Sequence, residues 1–305
     1  MLTYMRLIKS PNRTFTSLVG VTQAAFDNLL PAFKQVYEEY AMHKPKQPRQ
    51  RKPGGGAKPV LKELENKLLM ILFYVKNYPT QDVIGVLYGQ TQPWANKWIH
   101  ILMPMVKKSL GKKYRLPARP AKPASTMEEL FKRCPELKFI LDSTERPVQR
   151  PKDKAQQKTK YSGKKKRHTI KNTILTNHRT KQILYLGPTV EGKKHDKKMA
   201  DEEQIPFPEK SLVYDDLGYL GYNPPGVRII QPKKKPKGSE LSEFDKQINR
   251  MISSERIGVE HSIGGAKIFR IVRDIYRNKK TQFDDLVMEV ACGLYNHSVE
   301  CRMNG

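Results

Sequence analysis

Apolar residues in the first third of the chain recur at helical spacing. Phe26, Leu29, Leu30, Phe33, Val36, Tyr37 and Tyr40 fall on one stripe of a helix over 15–43. Thr22 is a candidate cap for it, and Pro31 either kinks the element or starts a second helix. Residues 60–76 repeat the pattern with Leu61, Leu64, Leu68, Leu72 and Val75. Thr80 then caps a short helix to Tyr88, Gly89 opens a tight turn, and Pro93 starts a helix bearing Trp94, Trp98, Ile101 and Leu102. The pattern changes after "LPARPAKPAS", residues 116–125. A short helix (126–133) leads into "LKFILDSTERPVQRP", a buried-type strand running into acids. "KRHTIKNTILTN" and "KQILYLGPTV" read as β-rich runs whose join, "HRTK", is short enough for a hairpin. "KKHDKKMADEE" reads as helix, "SLVYDDLGYLGY" as a strand ending in acids, "VRIIQP" as a short strand, and 239–277 as largely helical. Three strands, a helix, two more strands and terminal helices describe a mixed α/β domain.

The stretch between the first two helical patterns, "KPKQPRQRKPGGGAKP" (44–59), cannot pack a core and is predicted to be a basic linker. Its "GGGAK" lacks the spacing of a phosphate loop, and no strand precedes it. The expected organisation is a helical region over 1–115, a linker and entry helix over 116–136, and an α/β domain over 137–305. Within the first, the two helices joined at Gly89 (about 60–110) have the outline of a helix-turn-helix, or of an ordinary helical hairpin.

Charge favours the first. With 57 Lys+Arg against 30 Asp+Glu, the formal net charge of +27 implies a polyanionic partner. In a helix-turn-helix the start of the second helix meets base edges, which points to Thr91, Gln92, Asn96 and Lys97. The excess is concentrated between Arg150 and Lys198, where 16 basic residues face 3 acids. A lysine run alone is a solubilising face. Following directly on an acid-tipped strand, this one reads as a phosphate-binding surface, with Lys164, Lys165, Lys166 and Arg167 at its centre. No uninterrupted apolar run reaches the roughly 18 residues of a membrane span, and "MLTYMRLIKSPNR" lacks the apolar core of a signal peptide. Cys134, Cys292 and Cys301 show no metal-site or paired spacing. A cytoplasmic location is expected, nucleoid-associated in a bacterium.

Three sets of acids occupy special places. Asp142 ends the strand "FILD", Asp215 and Asp216 end "LVYDD", and Glu260 lies in "RIGVEHSIGGAK". On a helix at 100° per residue Arg256, Glu260 and Lys267 point at about 0°, 40° and 20°, sharing one face. Such a stripe is either a set of surface ion pairs or one acid held among phosphate-binding bases. Gly264 and Gly265, poor helix formers, leave open whether the helix continues to Lys267. Converging carboxylates are hard oxygen ligands that suit Mg²⁺, and two such ions about 4 Å apart can clamp an in-line phosphoryl displacement. Ser143 and Ser162 have no partners at triad spacing, and His168, His195 and His261 read as structural or DNA-contacting.

The chain resembles a DDE transposase of the bacterial insertion-sequence-five type, related to the Harbinger-like DDE endonucleases. The resemblance is carried by "ILDSTERPVQRP", "YSGKKKRHTIKN", "GKKHDKK", "VYDDLGYLGY" and "RIGVEHSIGGAKIFR", with the helix-turn-helix ahead of them. It implies an α-helical N-terminal helix-turn-helix region followed by an α/β ribonuclease-H-like catalytic domain. The family's second aspartate precedes x-Gly-Tyr, which selects Asp216 over Asp215. Its terminal signature, Tyr-x₂-Arg-x₃-Glu-x₆-Lys, is met at Arg256, Glu260 and Lys267, with Ser253 where tyrosine is usual. "LDST" stands where Asp-Gly-Thr is more common.

The resemblance therefore implies Asp142, Asp216 and Glu260 as catalytic metal ligands for two Mg²⁺ (or Mn²⁺) ions. It implies Arg256 and Lys267 as phosphate-holding residues. The implied reaction is cut-and-paste: cleavage at terminal inverted repeats, then attack of the freed 3′-hydroxyl on target DNA by a homodimer or larger synaptic complex. Different classes compatible with the same residues are a catalytically inactive, transposase-derived DNA-binding regulator and a general nuclease.

Overall fold

The computed structural model describes residues 2–43, 60–120 and 123–303; the expected linker over 44–59 lies outside the described residues. The chain divides into two compact units, one of Met1–Arg115 with Phe269–Ile271 and Glu300–Gly305, the other of Leu116–Ile268 with Val272–Val299.

The first unit is helical: α1 (Tyr4–Leu7), α2 (Asn12–Val19), α3 (Gln23–His43), α4 (Leu64–Asn77), α5 (Gln81–Leu87) and α6 (Gln92–Lys112). The single helix expected over 15–43 is two, because the chain turns through Gly20 between α2 and α3. Thr22 does serve as a cap, its hydroxyl accepting from the Ala25 amide at 3.2 Å, and Pro31 is accommodated inside α3. The apolar stripes meet in one core of Phe15, Phe26, Leu29, Phe33, Leu68, Leu72, Ile99 and Leu102, all fully buried. Thr80 caps α5 by accepting from the Val83 amide at 3.3 Å. Gly89, at φ +61°, makes the left-handed turn into α6 that a side chain would disfavour. The α5–turn–α6 segment is thus the helix-turn-helix outline read from the sequence.

The second unit is built on a mixed sheet. Its strands are β1 (Lys138–Pro147), β2 (Tyr161–Ser162), β3 (Arg167–Asn177), β4 (Ile183–Leu186), β5 (Val190–Glu191), β6 (Ser211–Tyr214) and β7 (Val227–Ile230). The order is β2-β3-β1-β6-β7, with β4 and β5 also paired to β3. β1 runs antiparallel to β3 and parallel to β6, and β6 runs parallel to β7. The run "KQILYLGPTV" forms two strands, because the Gly187–Pro188 step separates β4 from β5. Proline cannot donate to a ladder.

The helices are α7 (Pro123–Arg133), α8 (Lys154–Lys160), α9 (Asp196–Glu203), α10 (Glu243–Lys267), α11 (Arg270–Arg273) and α12 (Phe283–Met303), the last two being shared out between the units. α8 is absent from the sequence pattern for a physical reason. None of its seven residues is buried, so no apolar periodicity marks it.

One face of the sheet packs Phe139, Leu141, Leu175, Tyr185 and Val213 against Ala200, Ile205, Phe207 and Tyr219. Arg146 is buried and donates to the Asp284 carbonyl (3.0 Å), Asn172 Oδ1 (2.9 Å) and Thr189 Oγ1 (3.1 Å), tying β1 to β3 and to the start of α12. Among the described residues no helix is long and apolar enough to cross a membrane.

Candidate active site

The pairing register brings two of the three predicted acids together. Ile140 of β1 lies opposite Tyr214 of β6 in a parallel pair, so Asp142 and Asp216 each stand two residues beyond the same rung. Neighbouring strands are about 4.8 Å apart, so the two carboxylates stand side by side where the β1–β6 pairing stops. Asp216 follows the end of β6, but Asp142 does not end its strand as the sequence pattern suggested: pairing with β3, Asp142 opposite Ile174, carries β1 on to Pro147. Asp142 Oδ1 accepts from the Ser143 amide at 2.7 Å, and Asp216 Oδ1 accepts from the Gly218 amide at 2.7 Å, capping a single 3₁₀ turn. Burial pushes Asp142 up to about 6, the nearby charges of Asp216 and Asp196 adding to the effect and Arg256 opposing it.

The adjacent aspartates differ sharply. Asp215 is fully buried, and that burial pushes its carboxyl up to about 7. The Asp216 side chain is 32% exposed and lies 3.8 Å from Arg256 Nη2.

α10 supplies the basic side of the site. Ser242 caps it through the Asp245 amide (3.1 Å), and it runs unbroken from Glu243 through Gly264 and Gly265 to Lys267. Arg256, Glu260 and Lys267 consequently share a face, but they do different things. Arg256 pairs with Asp216, and Lys267 Nζ donates to the Glu145 carbonyl of β1 at 3.0 Å. Burial lowers the Lys267 pKa, Lys165 and Arg146 adding their repulsion. Glu260 is exposed and lines a cleft of about 450 Å³ with Arg250, Ser253 and Ile257. Among the described residues no three His, Cys, Asp or Glu side chains are grouped as a metal site.

Asp196 also belongs to the site. At the start of α9, its carboxylate accepts from Ser143 Oγ (2.7 Å) and from Lys171 Nζ (3.0 Å), and Lys171 also reaches Glu145 (3.5 Å). A Cβ on Gly218 would stand 2.7 Å from Asp216 Oδ1 and 2.9 Å from Asp196 Oδ2, so the two acids converge on the turn that follows β6. The "GKKHDKK" segment is the sequence signal that could have found it. Tyr219, on the same turn, is fully buried; its hydroxyl has no hydrogen-bond partner among the described residues, and Asp142, Asp196 and Asp216 add to burial in disfavouring its ionisation.

The remaining predicted contacts fall in two places. Lys164, Lys165 and Lys166 on the turn between β2 and β3, and Arg167 at the start of β3, are all exposed. In the helical unit Thr91, Gln92 and Lys97 are exposed at the start of α6, whereas Asn96 is half-buried. The Gln92 and Asn96 amides both donate to Gln81 Oε1 of α5, Asn96 at 3.1 Å, so the preceding helix fixes their orientation.

Comparison with known proteins covers both units. The family described as "DDE superfamily endonuclease" matches residues 141–296, and "Helix-turn-helix of DDE superfamily endonuclease" matches residues 59–112. The chain is similar to the probable transposase for insertion sequence element IS702 of Microchaete diplosiphon, at 29% identity over 288 residues, covering 94% of this chain and 95% of that protein. No solved structure matches it.

Proposed function

From the fact that the chain belongs to the DDE superfamily of endonucleases and carries that superfamily's helix-turn-helix, we propose that it is a DNA transposase that cuts at terminal inverted repeats and transfers the freed 3′-hydroxyl into target DNA. The observation that carries the reading is the placement of Asp142 and Asp216 side by side, each two residues past the last rung of the parallel β1–β6 pair, with Arg256 of α10 beside Asp216. The strand order supports a ribonuclease-H-like catalytic domain. Three antiparallel strands (β4, β3, β1) are followed by two parallel ones (β6, β7), with Asp142 on central β1 and Asp216 just past the end of its neighbour β6.

Asp142, Asp216 and Glu260 are assigned as ligands for divalent metal. The donor chemistry fits: Asp142 and Asp216 are hard oxygen donors, and Asp142 resists ionisation through burial, with the neighbouring Asp216 charge adding to it, both of which a bound cation would offset. Glu260, one helical turn from Arg256, has the same donor type and an open cleft in front of it. Two Mg²⁺ or Mn²⁺ ions, when bound, supply activated water and neutralise charge on the attacked phosphate.

The chain's own residues do the rest. Arg256 stands 3.8 Å from Asp216 and presents its guanidinium where a phosphate can bind. Lys267 and the exposed Lys164–Arg167 turn hold the DNA backbone, while Thr91, Gln92, Asn96 and Lys97 read terminal DNA from α6. Joining two DNA ends requires two copies, hence a homodimer or larger synaptic complex. In a bacterium such an enzyme acts at the nucleoid.

The test is cleavage of a duplex carrying the element's inverted repeats, with Mg²⁺, compared with a scrambled duplex. Wild-type protein should cut only the former, and Asp142→Asn, Asp216→Asn and Glu260→Gln should each bind it without cutting. Binding without cleavage by the wild type would identify a regulator, and equal cutting of both duplexes a general nuclease.

A further inference from the structure

A second cleft in the α/β unit lies apart from the paired acids. Beyond Pro147 the chain leaves β1, forms α8 and returns through β2 into β3, enclosing a cleft of about 910 Å³. Arg150, Lys154, Lys158 and Lys193 line it together with Tyr161 and His168. Among the described residues none of these four cations is in an ion pair. Asp153, the nearest acid along the chain, instead caps α8 by accepting from the Gln156 amide at 2.8 Å. Tyr161 pairs across the ladder with His168, their rings 5.7 Å apart and at 72°, so the imidazole steadies the phenol ring. Tyr161 is nonetheless 43% exposed, and it fills no core.

Unpaired cations suit a polyanion, and a steadied flat ring among them suits a base. A duplex offers phosphates but keeps its bases stacked out of reach of a side chain in a cleft. An unpaired nucleotide offers both, and the cleft falls within the roughly 300–1,000 Å³ range of pockets for ligands of that size.

We propose that this cleft binds an unpaired nucleotide of DNA, its base stacked on Tyr161 and its flanking phosphates held by Lys154, Lys158 and Lys193. The inference rests on the reading of the chain as a DNA-processing enzyme, and adds that it holds DNA locally opened into single strand.

The experiment measures affinity of the full chain for an oligothymidine and for a duplex of equal length, by fluorescence anisotropy in chelator at fixed salt. Tyr161→Ala should weaken oligothymidine binding by about tenfold, the scale of one lost base–aromatic stack, and leave duplex binding unchanged. Tyr161→Phe should keep both affinities, and Lys158→Ala should weaken oligothymidine binding and reduce its salt dependence. Because Tyr161 is exposed, its variants should melt like the wild type. The proposal is overturned if Tyr161→Ala leaves single-strand binding intact, if it weakens duplex binding by the same factor, or if Tyr161→Phe loses as much. An oligouridine bound more tightly than oligothymidine would assign the cleft to RNA and overturn it too. No cleavage enters these measurements. A Tyr161 effect in a protein that never cuts DNA would thus leave this inference standing while the transposase reading fell.

Discussion

The paired glycines of α10 make opposite predictions one residue apart. A Cβ on Gly264 would meet nothing within 4 Å, whereas a Cβ on Gly265 would stand under 3.0 Å from two ring carbons of Tyr295. That ring cannot swing away freely: Tyr295 is buried, and its hydroxyl donates to the Lys181 carbonyl at 3.1 Å. Replacing glycine by alanine inside a helix gains about 0.8–1 kcal/mol from backbone propensity. At Gly264 that gain stands alone, so Gly264→Ala should stabilise by up to about 1 kcal/mol. At Gly265 overpacking costs about 1–3 kcal/mol, and loosening the tyrosine's hydrogen bond costs roughly another 1. The larger costs win, and Gly265→Ala should destabilise by about 1–3 kcal/mol. Each kcal/mol moves the melting temperature of a unit this size by roughly 2–4 °C, so thermal melts of the two variants should shift in opposite directions. Equal shifts would mean that α10 and α12 do not approach through Gly265, and the argument for how α10 is held would fail.

Other outcomes follow from the same geometry. Asp216→Asn should abolish cleavage and leave duplex binding nearly unchanged, while Asp215→Asn, replacing a buried carboxyl pushed up to about 7 by a neutral isostere, should be mild; the reverse ranking in a nicking assay would show the acids assigned one residue out. With Asp142 pushed up to about 6 in the metal-free protein, protons compete with the cation, so divalent-ion affinity should fall as pH drops through that value. Asp196→Asn removes one of the raising charges and should move the fall to lower pH; calorimetry showing the same midpoint would refute its part in the cluster. Lys97→Ala should reduce the salt slope of duplex binding by about one unit, and an unchanged slope would take Lys97 off the phosphates. Lys267→Ala should weaken end binding by about 1.5–3 kcal/mol if its ammonium also holds a phosphate; a lower melting temperature with unchanged gel-shift affinity would reduce it to a brace for β1.

The features legible in the sequence are those whose causes are local. Thr22 and Thr80 cap because a hydroxyl two or three residues before a free amide needs no tertiary partner. Gly89 turns because of its own backbone freedom. The β1 and β6 strands show as apolar runs meeting acids, although β1 continues past Asp142 to Pro147. Of the three acids the family resemblance implies together, Asp142 and Asp216 are adjacent and Glu260 lines a cleft of its own. The register that sets the two aspartates side by side, Ile140 opposite Tyr214, is a long-range fact that no spacing encodes. For Asp196 the sequence offers only the "GKKHDKK" segment; its place in the site depends on α9 starting opposite Ser143 and Lys171, which is again long-range. α8 leaves no apolar pattern in the sequence because none of its residues is buried. At Gly264–Gly265 local propensity pointed to a possible break, and packing against Tyr295 sustains the helix instead.

The stripe of Arg256, Glu260 and Lys267 shows what a shared helical face leaves undecided. Periodicity gives the three residues one direction, and surface ion pairing along the helix would then leave them equivalent. In the structure they are not equivalent. Arg256 directs its charge across to Asp216 at 3.8 Å, and Lys267 reaches the Glu145 carbonyl at 3.0 Å, so both bases engage the strands that carry the aspartates. Surface pairing within α10 is worth a few tenths of a kcal/mol. An ammonium buried against a strand carbonyl and a guanidinium shielded beside a carboxylate act in lower dielectric, where each contact is stronger and its loss costs more. With the bases engaged in this way, Glu260 alone of the three keeps its side chain exposed, at the open cleft beside Ser253. The bases hold α10 against β1 and the turn after β6, and the acid between them stays exposed at the cleft.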